Sequence, residues 1–298
     1  MSKDFTGGIP IDREEVFASE PENPEMRDSV SFWVSDDKGY FGIPRIGIEA
    51  EARPWETHGY QAQMGFSDGR IYLDVGQGAT HSALDEQGRP YIIGAGPLAF
   101  QCIEPFTRWV ARYDGVMKRT TAEALTQDVS YTIEGEMVPV TFEVEATIAA
   151  NPWVQGDLLP EAAAALQDEV EGDFMGGPRY EQLFTASGRV QVEGEDYSFT
   201  GSGLRIRRQG IRNLPDFWGH AWQSALFPSG KGFGYIAYPP RKDGKPTFNE
   251  GYICEPGGPL IGARVVKAPW LKRLLPSGDD VTVTPVSYTH LRAHETRE

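Results

Sequence analysis

Val138-Pro139-Val140-Thr141-Phe142-Glu143-Val144-Glu145-Ala146 decides the fold class. Val138, Val140, Phe142, Val144 and Ala146 alternate with mostly polar residues. Successive side chains of an extended strand point to opposite faces, so the run predicts a strand in a sheet with one wet face and one buried face. Working outward toward the N-terminus, Ser31-Phe32-Trp33-Val34, residues 42–49, 59–66, 70–75, 98–103 and 109–113 are further short runs, separated by turn signals such as Asp36-Asp37-Lys38-Gly39 and Ser67-Asp68-Gly69. Short alternating runs with such punctuation predict an antiparallel meander.

Toward the C-terminus the pattern breaks at residues 158–170. There Leu159-Pro160-Glu161-Ala162-Ala163-Ala164-Ala165-Leu166 has a proline near its start and alanine through its body, which predicts a helix. A glycine-rich stretch, Gly172-Asp173-Phe174-Met175-Gly176-Gly177-Pro178, follows it and reads as a boundary. Strand signals then resume at 180–192 and 197–203, joined by the turn Glu193-Gly194-Glu195-Asp196, and continue at 217–227, 232–238, 249–253 and 262–266. The expected architecture is all-β: a flexible acidic arm at 1–28, one β domain at 29–150, a helical connector at 151–178 and a second β domain at 179–285. No internal repeat is visible in the residues.

The last stretch, Val286-Ser287-Tyr288-Thr289-His290-Leu291-Arg292-Ala293-His294-Glu295-Thr296, resembles a translated sequencing adapter. Residues 286–298 are therefore read as a non-native tail from an assembled metagenomic fragment, with the native C-terminus missing. His58, His81 and His220 remain as histidines for chemistry.

The formal charge of −15 argues against a nucleic-acid partner, which requires a clustered basic surface. Arg205-Ile206-Arg207-Arg208 is a local exception, since Arg205 and Arg207 share one strand face. That face suits an anionic ligand or carboxylate partner, or a solvated edge. Cys102 and Cys254 are far apart, with no Cys-x-x-Cys, so neither a disulfide framework nor a metal site is expected. No apolar leader and no membrane-length run is present, and a cytoplasmic protein without a membrane span is expected.

The stretch that concentrates chemistry is Asp216-Phe217-Trp218-Gly219-His220-Ala221-Trp222-Gln223. If it is extended, Trp218, His220 and Trp222 point to one side, and two indoles flank one imidazole. An imidazole titrates near neutrality, and indoles wall a site for a flat or unsaturated ligand. The competing reading is a strand whose inner face is core, with His220 bonded to a neighbour.

Arg179-Tyr180-Glu181-Gln182-Leu183-Phe184-Thr185-Ala186-Ser187-Gly188-Arg189-Val190, Gly201-Ser202-Gly203-Leu204-Arg205, Phe217-Trp218-Gly219-His220-Ala221-Trp222 and Phe233-Gly234-Tyr235 resemble the lipocalin-like superfamily of carotenoid 1,2-hydratases and AttH-type proteins, in its two-domain bacterial branch. The N-terminal half agrees: Phe32-Trp33 lies in an aromatic strand, residues 42–48 stand at a Gly-x-x-Arg-Ile-Gly motif, and Arg108-Trp109-Val110-Ala111-Arg112-Tyr113-Asp114-Gly115 follows. The resemblance covers residues 29–266. It implies two consecutive lipocalin-like β-barrel or sandwich domains and chemistry on isoprenoid or polyketide ligands without a redox cofactor. Family patterns place an Arg-Asp-His-Ser-Trp-Gly-like segment where this chain has Arg205-Ile206-Arg207-Arg208-Gln209-Gly210, so that aspartate and histidine are absent here.

Hydration or dehydration of an alkene needs an acid and a shielded wall that stabilises a developing cation. Asp216, His220 and Glu250 are the candidate catalytic groups. Trp33, Trp218, Trp222, Tyr235, Tyr252 and Arg205 are the candidate ligand-binding groups. Asn249-Glu250-Gly251 also reads as a loop or strand entry with an exposed glutamate. Ser229-Gly230-Lys231-Gly232-Phe233-Gly234 lacks the first glycine of a phosphate loop, Gly201-Ser202-Gly203 lacks the strand-glycine-helix context of a dinucleotide site, and there is no Gly-x-Ser-x-Gly elbow, so hydrolase and dehydrogenase readings rank low. The expected partner is a small hydrophobic ligand, isoprenoid, steroid-like or polyketide, that is hydrated, dehydrated or cyclised, or carried unchanged. No cofactor or metal is expected. Barrels filled by their own side chains, with no ligand, are the third reading.

Overall fold

The computed structural model describes residues 3–127, 134–167, 179–211, 219–242, 244, 247–270 and 282–287. Strands β1 (Met26–Asp36), β2 (Phe41–Glu51), β3 (Thr57–Phe66) and β4 (Arg70–Ala79) form the antiparallel meander expected from the turn signals. The hairpin of β5 (Ile92–Ala95) and β6 (Leu98–Glu104) leads into β7 (Arg108–Thr121). After the short helix α1 (Ala122–Gln127), β8 (Glu136–Ile148) returns along β7. Then come β9 (Trp153–Val154), helix α2 (Pro160–Ala165) and the hairpin of β10 (Arg179–Val192) and β11 (Glu195–Ile211). The chain finishes its described part with β12 (Ala221–Leu226), β13 (Gly232–Ala237), β14 (Asn249–Cys254), β15 (Leu260–Lys267) and β16 (Thr284–Ser287).

In the larger sheet β4, β3, β2, β1, β11, β10, β8 and β7 are neighbours in that order, and Arg70 to Leu73 of β4 pair back onto Lys118 to Thr121 of β7. Eight strands thus close a barrel and leave no free edge in that ring. The alternation read in β8 is realised residue by residue: Val138, Val140, Phe142, Val144, Ala146 and Ile148 are buried, while Glu136, Pro139, Glu143 and Thr147 are exposed. The inward faces pack into one apolar core. Phe32 meets Phe100 edge-on at 4.9 Å and Phe184 at 5.0 Å, with Ile46, Trp109 and Val144 fully buried around them. The second sheet, β12 to β16 in sequence order, covers part of the barrel's outer surface. Leu183 of β10 and Leu204 of β11 meet Ile236, Phe248 and Tyr252 in the core between the two sheets.

The all-β class holds, but the sheets do not divide where the sequence divides. β10 and β11, expected in a second domain beginning at 179, pair with β8 and β1 and are staves of the first barrel. The turn between them, Glu193-Gly194, has both φ angles positive (51° and 79°), the conformation that suits a tight hairpin. The helix expected at 158–170 is the single short helix α2, and residues 168–178 lie outside the described residues. Val286 and Ser287, read as the start of a non-native tail, pair in β16 with Arg264 and Ala263, and the rest of that tail lies outside the described residues.

Where the sequence reading expects a loose N-terminal arm, Glu14 and Val16 are buried. Arg205 and Arg207 of β11 face inward with no exposed surface, and each requires an anion. Glu14 supplies one: its carboxylate takes Nη1 and Nη2 of Arg205 at 2.9 and 2.8 Å, the Trp109 indole N–H at 2.7 Å and the Phe106 backbone N–H at 3.1 Å, and Tyr180 also donates to it. Asp28 of β1 pairs with Arg207.

Phe32→Ala should cost about 3–5 kcal/mol by opening a cavity at the centre of this core, read from the midpoint of urea unfolding. Burial pushes the Glu14 carboxyl up, but Arg205 and the hydrogen bonds pull it further down, so its net position is below the ordinary 4.5. A carboxylate lowered in the folded state stabilises the fold above its unfolded pKa, and that contribution disappears as pH falls through the folded value. The stability gap between wild type and Glu14→Gln should therefore be full near neutrality and narrow as pH drops below about 4.5. A gap that stays constant down to strongly acid pH would show that Glu14 is not ionised in the fold.

Candidate functional site

Outward-facing residues of the barrel and the near edge of the second sheet enclose a cleft of about 390 Å³, within the range usual for small-molecule sites. Its floor follows from strand alternation. Val30, Phe32 and Val34 of β1 point into the barrel, so Ser29, Ser31 and Trp33 point out into the cleft. Gly47 of β2 pairs with Ser31, and a Cβ there would sit 2.4 Å from the Ser31 hydroxyl, so glycine keeps the floor open. Arg45 and Glu49 of β2, Tyr60 and Gln61 of β3 and Gln77 of β4 complete that side. The facing wall is Trp222 of β12, Ile236 of β13, Tyr238 and His220.

Trp33 and Trp222 meet across the cleft at right angles, ring centres 4.7 Å apart. Each carries a guanidinium: Arg45 lies 5.8 Å from the Trp33 ring and Arg179 lies 5.9 Å from the Trp222 ring. Behind the wall Glu181 is fully buried, accepts the Trp222 indole N–H at 3.2 Å and the Gln155 amide at 3.2 Å, and pairs with Arg179. Burial pushes the Glu181 carboxyl up, and the attraction of Arg179 holds it back only in part. Glu49 forms an ion pair with Arg27 at 3.0 Å. Tyr60 donates its hydroxyl to Asp74 at 2.9 Å, and burial, followed by that bond, pushes it up to about 12. His220 lies 6.1 Å from both Trp222 and Tyr238 by ring centres.

Of the residues singled out in the sequence, Trp33, Trp222 and His220 come together here. The strand does not include His220: Gly219 has φ +98°, and the extended run starts only at Ala221. Trp218 and Asp216 lie outside the described residues. The others are placed elsewhere. Arg205 is inside the barrel, committed to Glu14 and Gln182. Tyr235 faces the opposite side of the second sheet, with Ala221, Ala237 and Val265, and burial pushes its hydroxyl up to about 12. Tyr252 packs edge-on against Trp153 at 5.4 Å in the core between the sheets.

Glu250 is neither an exposed loop residue nor a group of the cleft. Its fully buried carboxylate accepts four N–H donors: the Trp153 indole at 2.8 Å and the backbone of Gly156, Leu158 and Leu159 at 2.7, 3.1 and 2.8 Å. Burial pushes it up and these donors oppose the rise. His58 and His81 line a different cavity of about 200 Å³, with Asp28 and Trp55. The residues that sequence reasoning missed are the cleft arginines Arg45, Arg179 and Arg208. The available signal was parity: Arg45 and Gly47 share the face of β2 opposite Ile46 and Ile48.

The closed barrel with a second antiparallel sheet defines a lipocalin-like β fold, and one solved structure supports it. An AttH-like protein from Nitrosomonas europaea aligns with a TM-score of 0.52 at 16% identity, over 83% of this chain and 71% of that one. Kievitone hydratase from Nectria haematococca aligns with a TM-score of 0.47 at 12% identity, over 92% of this chain and 74% of its own. No curated protein matches the chain. The chain belongs to the family described as Domain of unknown function (DUF7064), whose model matches residues 13–292.

Glu250→Gln replaces an acceptor oxygen with an amide donor that faces N–H groups. It should cost about 1–3 kcal/mol in urea unfolding, the scale of an unsatisfied buried hydrogen-bonding group. An unchanged midpoint would remove Glu250 as the joint between the sheets.

Proposed function

We propose that the cleft, not the barrel interior, holds a flat hydrophobic ligand of the isoprenoid, steroid-like or polyketide kind, and that His220 moves a proton on it. The observation that carries this reading is the right-angled Trp33–Trp222 corner opening on His220 in a cavity of about 390 Å³. The barrel interior is filled by Phe32, Phe100, Trp109, Phe184 and their neighbours, so a ligand has its room outside it. Indole faces stabilise positive charge that develops on an unsaturated ligand. In a hydration, an imidazolium proton passes to one alkene carbon, water adds to the other, and the proton lost by that water returns the imidazole to its starting state. Dehydration runs the same steps backward, and a cyclisation replaces water with a second double bond of the ligand.

A noncatalytic carrier is the second reading. It is favoured by the fact that Glu250, the expected partner acid, is occupied by four N–H donors. The two separate in one experiment: native mass spectrometry and chromatography of the folded protein after incubation with a mixed isoprenoid, steroid and polyketide extract. Wild type should retain a ligand and convert it, by gain or loss of water or by isomerisation, His220→Ala should retain it unchanged, and Trp222→Ala should lose it. Retention without conversion by wild type points to the carrier, and no retention by folded protein overturns the ligand reading.

A further inference from the structure

The cleft's charge is opposite to that of the chain. The protein carries a formal −15, yet among the described residues the cleft is lined by Arg45, Arg179 and Arg208 against the one carboxylate of Glu49. Glu49 is already paired with Arg27 at 3.0 Å. Concentrating guanidinium groups in a partly dry groove repels like charge and costs solvation, so the arrangement needs a compensating anion. Glu181 supplies part of it for Arg179.

Five arginines, Arg45, Arg179, Arg205, Arg207 and Arg208, have a buried Nε–H without a hydrogen-bond partner among the described residues, so that atom alone does not mark the cleft. The Arg179 side chain retains only 9% exposure. Arg179, Arg205 and Arg207 each pair with a carboxylate. Arg45 has no ion-pair partner among the described residues, and its charge rests over the Trp33 ring. The edge of a guanidinium presents N–H groups in a rigid plane that matches two coplanar oxygens, which fits a carboxylate better than a lone hydroxyl. The guanidinium groups of Arg45 and Arg179 lie 5.8 and 5.9 Å from the Trp33 and Trp222 rings, beside the corner where a flat apolar body would lie.

We infer that this cleft recognises an organic acid: a flat apolar molecule whose carboxylate is received by Arg45 and Arg179, with Arg208 adding to the local positive field. The inference rests on the reading of the cleft as a small-molecule site and narrows it to acidic ligands. It also explains why the arginines stand on this face of an acidic protein, since a positive groove in a negative surface draws an anion to one place.

The test is calorimetric titration of the full chain with naphthoate, its uncharged isostere naphthamide, and naphthyl phosphate. Wild type should bind naphthoate about tenfold or more tightly than naphthamide, the scale of one charge-assisted hydrogen bond. Arg45→Gln should abolish most of that preference, lowering naphthoate affinity far more than naphthamide affinity. Arg45→Lys should restore it only in part, because an ammonium lacks the planar fork. Arg45 makes no ion pair among the described residues, so this variant is expected to fold, and circular dichroism checks it. If Arg179→Gln also folds, it should act in the same direction. Equal binding of naphthoate and naphthamide by wild type overturns the inference and leaves the cleft standing as a site for neutral flat ligands. Tighter binding of naphthyl phosphate than of naphthoate overturns the carboxylate assignment. Failure of all three probes to bind overturns the inference together with the reading beneath it.

Discussion

The cleft exists because one buried carboxylate fastens the second sheet to the barrel. Glu250 on β14 gathers the indole N–H of Trp153 and the backbone N–H groups of Gly156, Leu158 and Leu159. That segment is itself held to the barrel where β9 pairs with β10. An isolated carboxylate is expensive to bury, but one that meets four donors has replaced its water shell. The same device recurs at Glu181, whose bonds to Trp222 and Gln155 and pairing with Arg179 set the aromatic wall in place. The shape of the cleft thus depends on two acids, Glu250 and Glu181, that lie behind its walls.

Inside the barrel the constraint is strand parity. Once Val30 and Phe32 point inward on β1, its partner β11 must send Arg205 and Arg207 to the same side, because Phe32 is paired with Arg205 and Val30 with Arg207. Two charges then sit where most neighbours are apolar. Breaking such a pair by removing one partner is far more damaging than the net worth of the pair, since it strands a buried ion. This explains why the lead-in is tethered: Glu14 must remain next to Arg205. An acidic, proline-bearing segment that reads as disordered in isolation acquires order from a cation it meets 191 positions later in the sequence.

The fold was legible where local pattern suffices. The alternation at 138–146, the turn signals between the first four strands and the Glu193-Gly194 hairpin all appear in the structure, because each depends only on residues adjacent in sequence. What local pattern cannot state is the identity of a strand's partner. Alternation tells which face is buried, not which neighbour is bonded, so β10 and β11 were assigned to the second half although they close the first barrel. The site was legible in the same limited way. Trp33, Trp222 and His220 were marked by residue type, and they meet in one cleft. Glu250 was marked as an acid and is a joint, because what decides a carboxylate's role is the donors around it, and these come from more than 90 positions away. Arg45 and Arg179 went unmarked because a single arginine in an alternating strand reads as a solvated residue until a second sheet is laid over it.

The central claim is that ligand space lies between the sheets and not within the barrel. The most direct measurement is the position of a bound flat probe, naphthoate, fixed by nuclear Overhauser contacts between its ring protons and the indole protons of the protein. The account predicts contacts to Trp33 and Trp222, which line the cleft, and none to Trp109, which is buried in the barrel core. Contacts to Trp109 without contacts to Trp222 would put the ligand inside the barrel and contradict it.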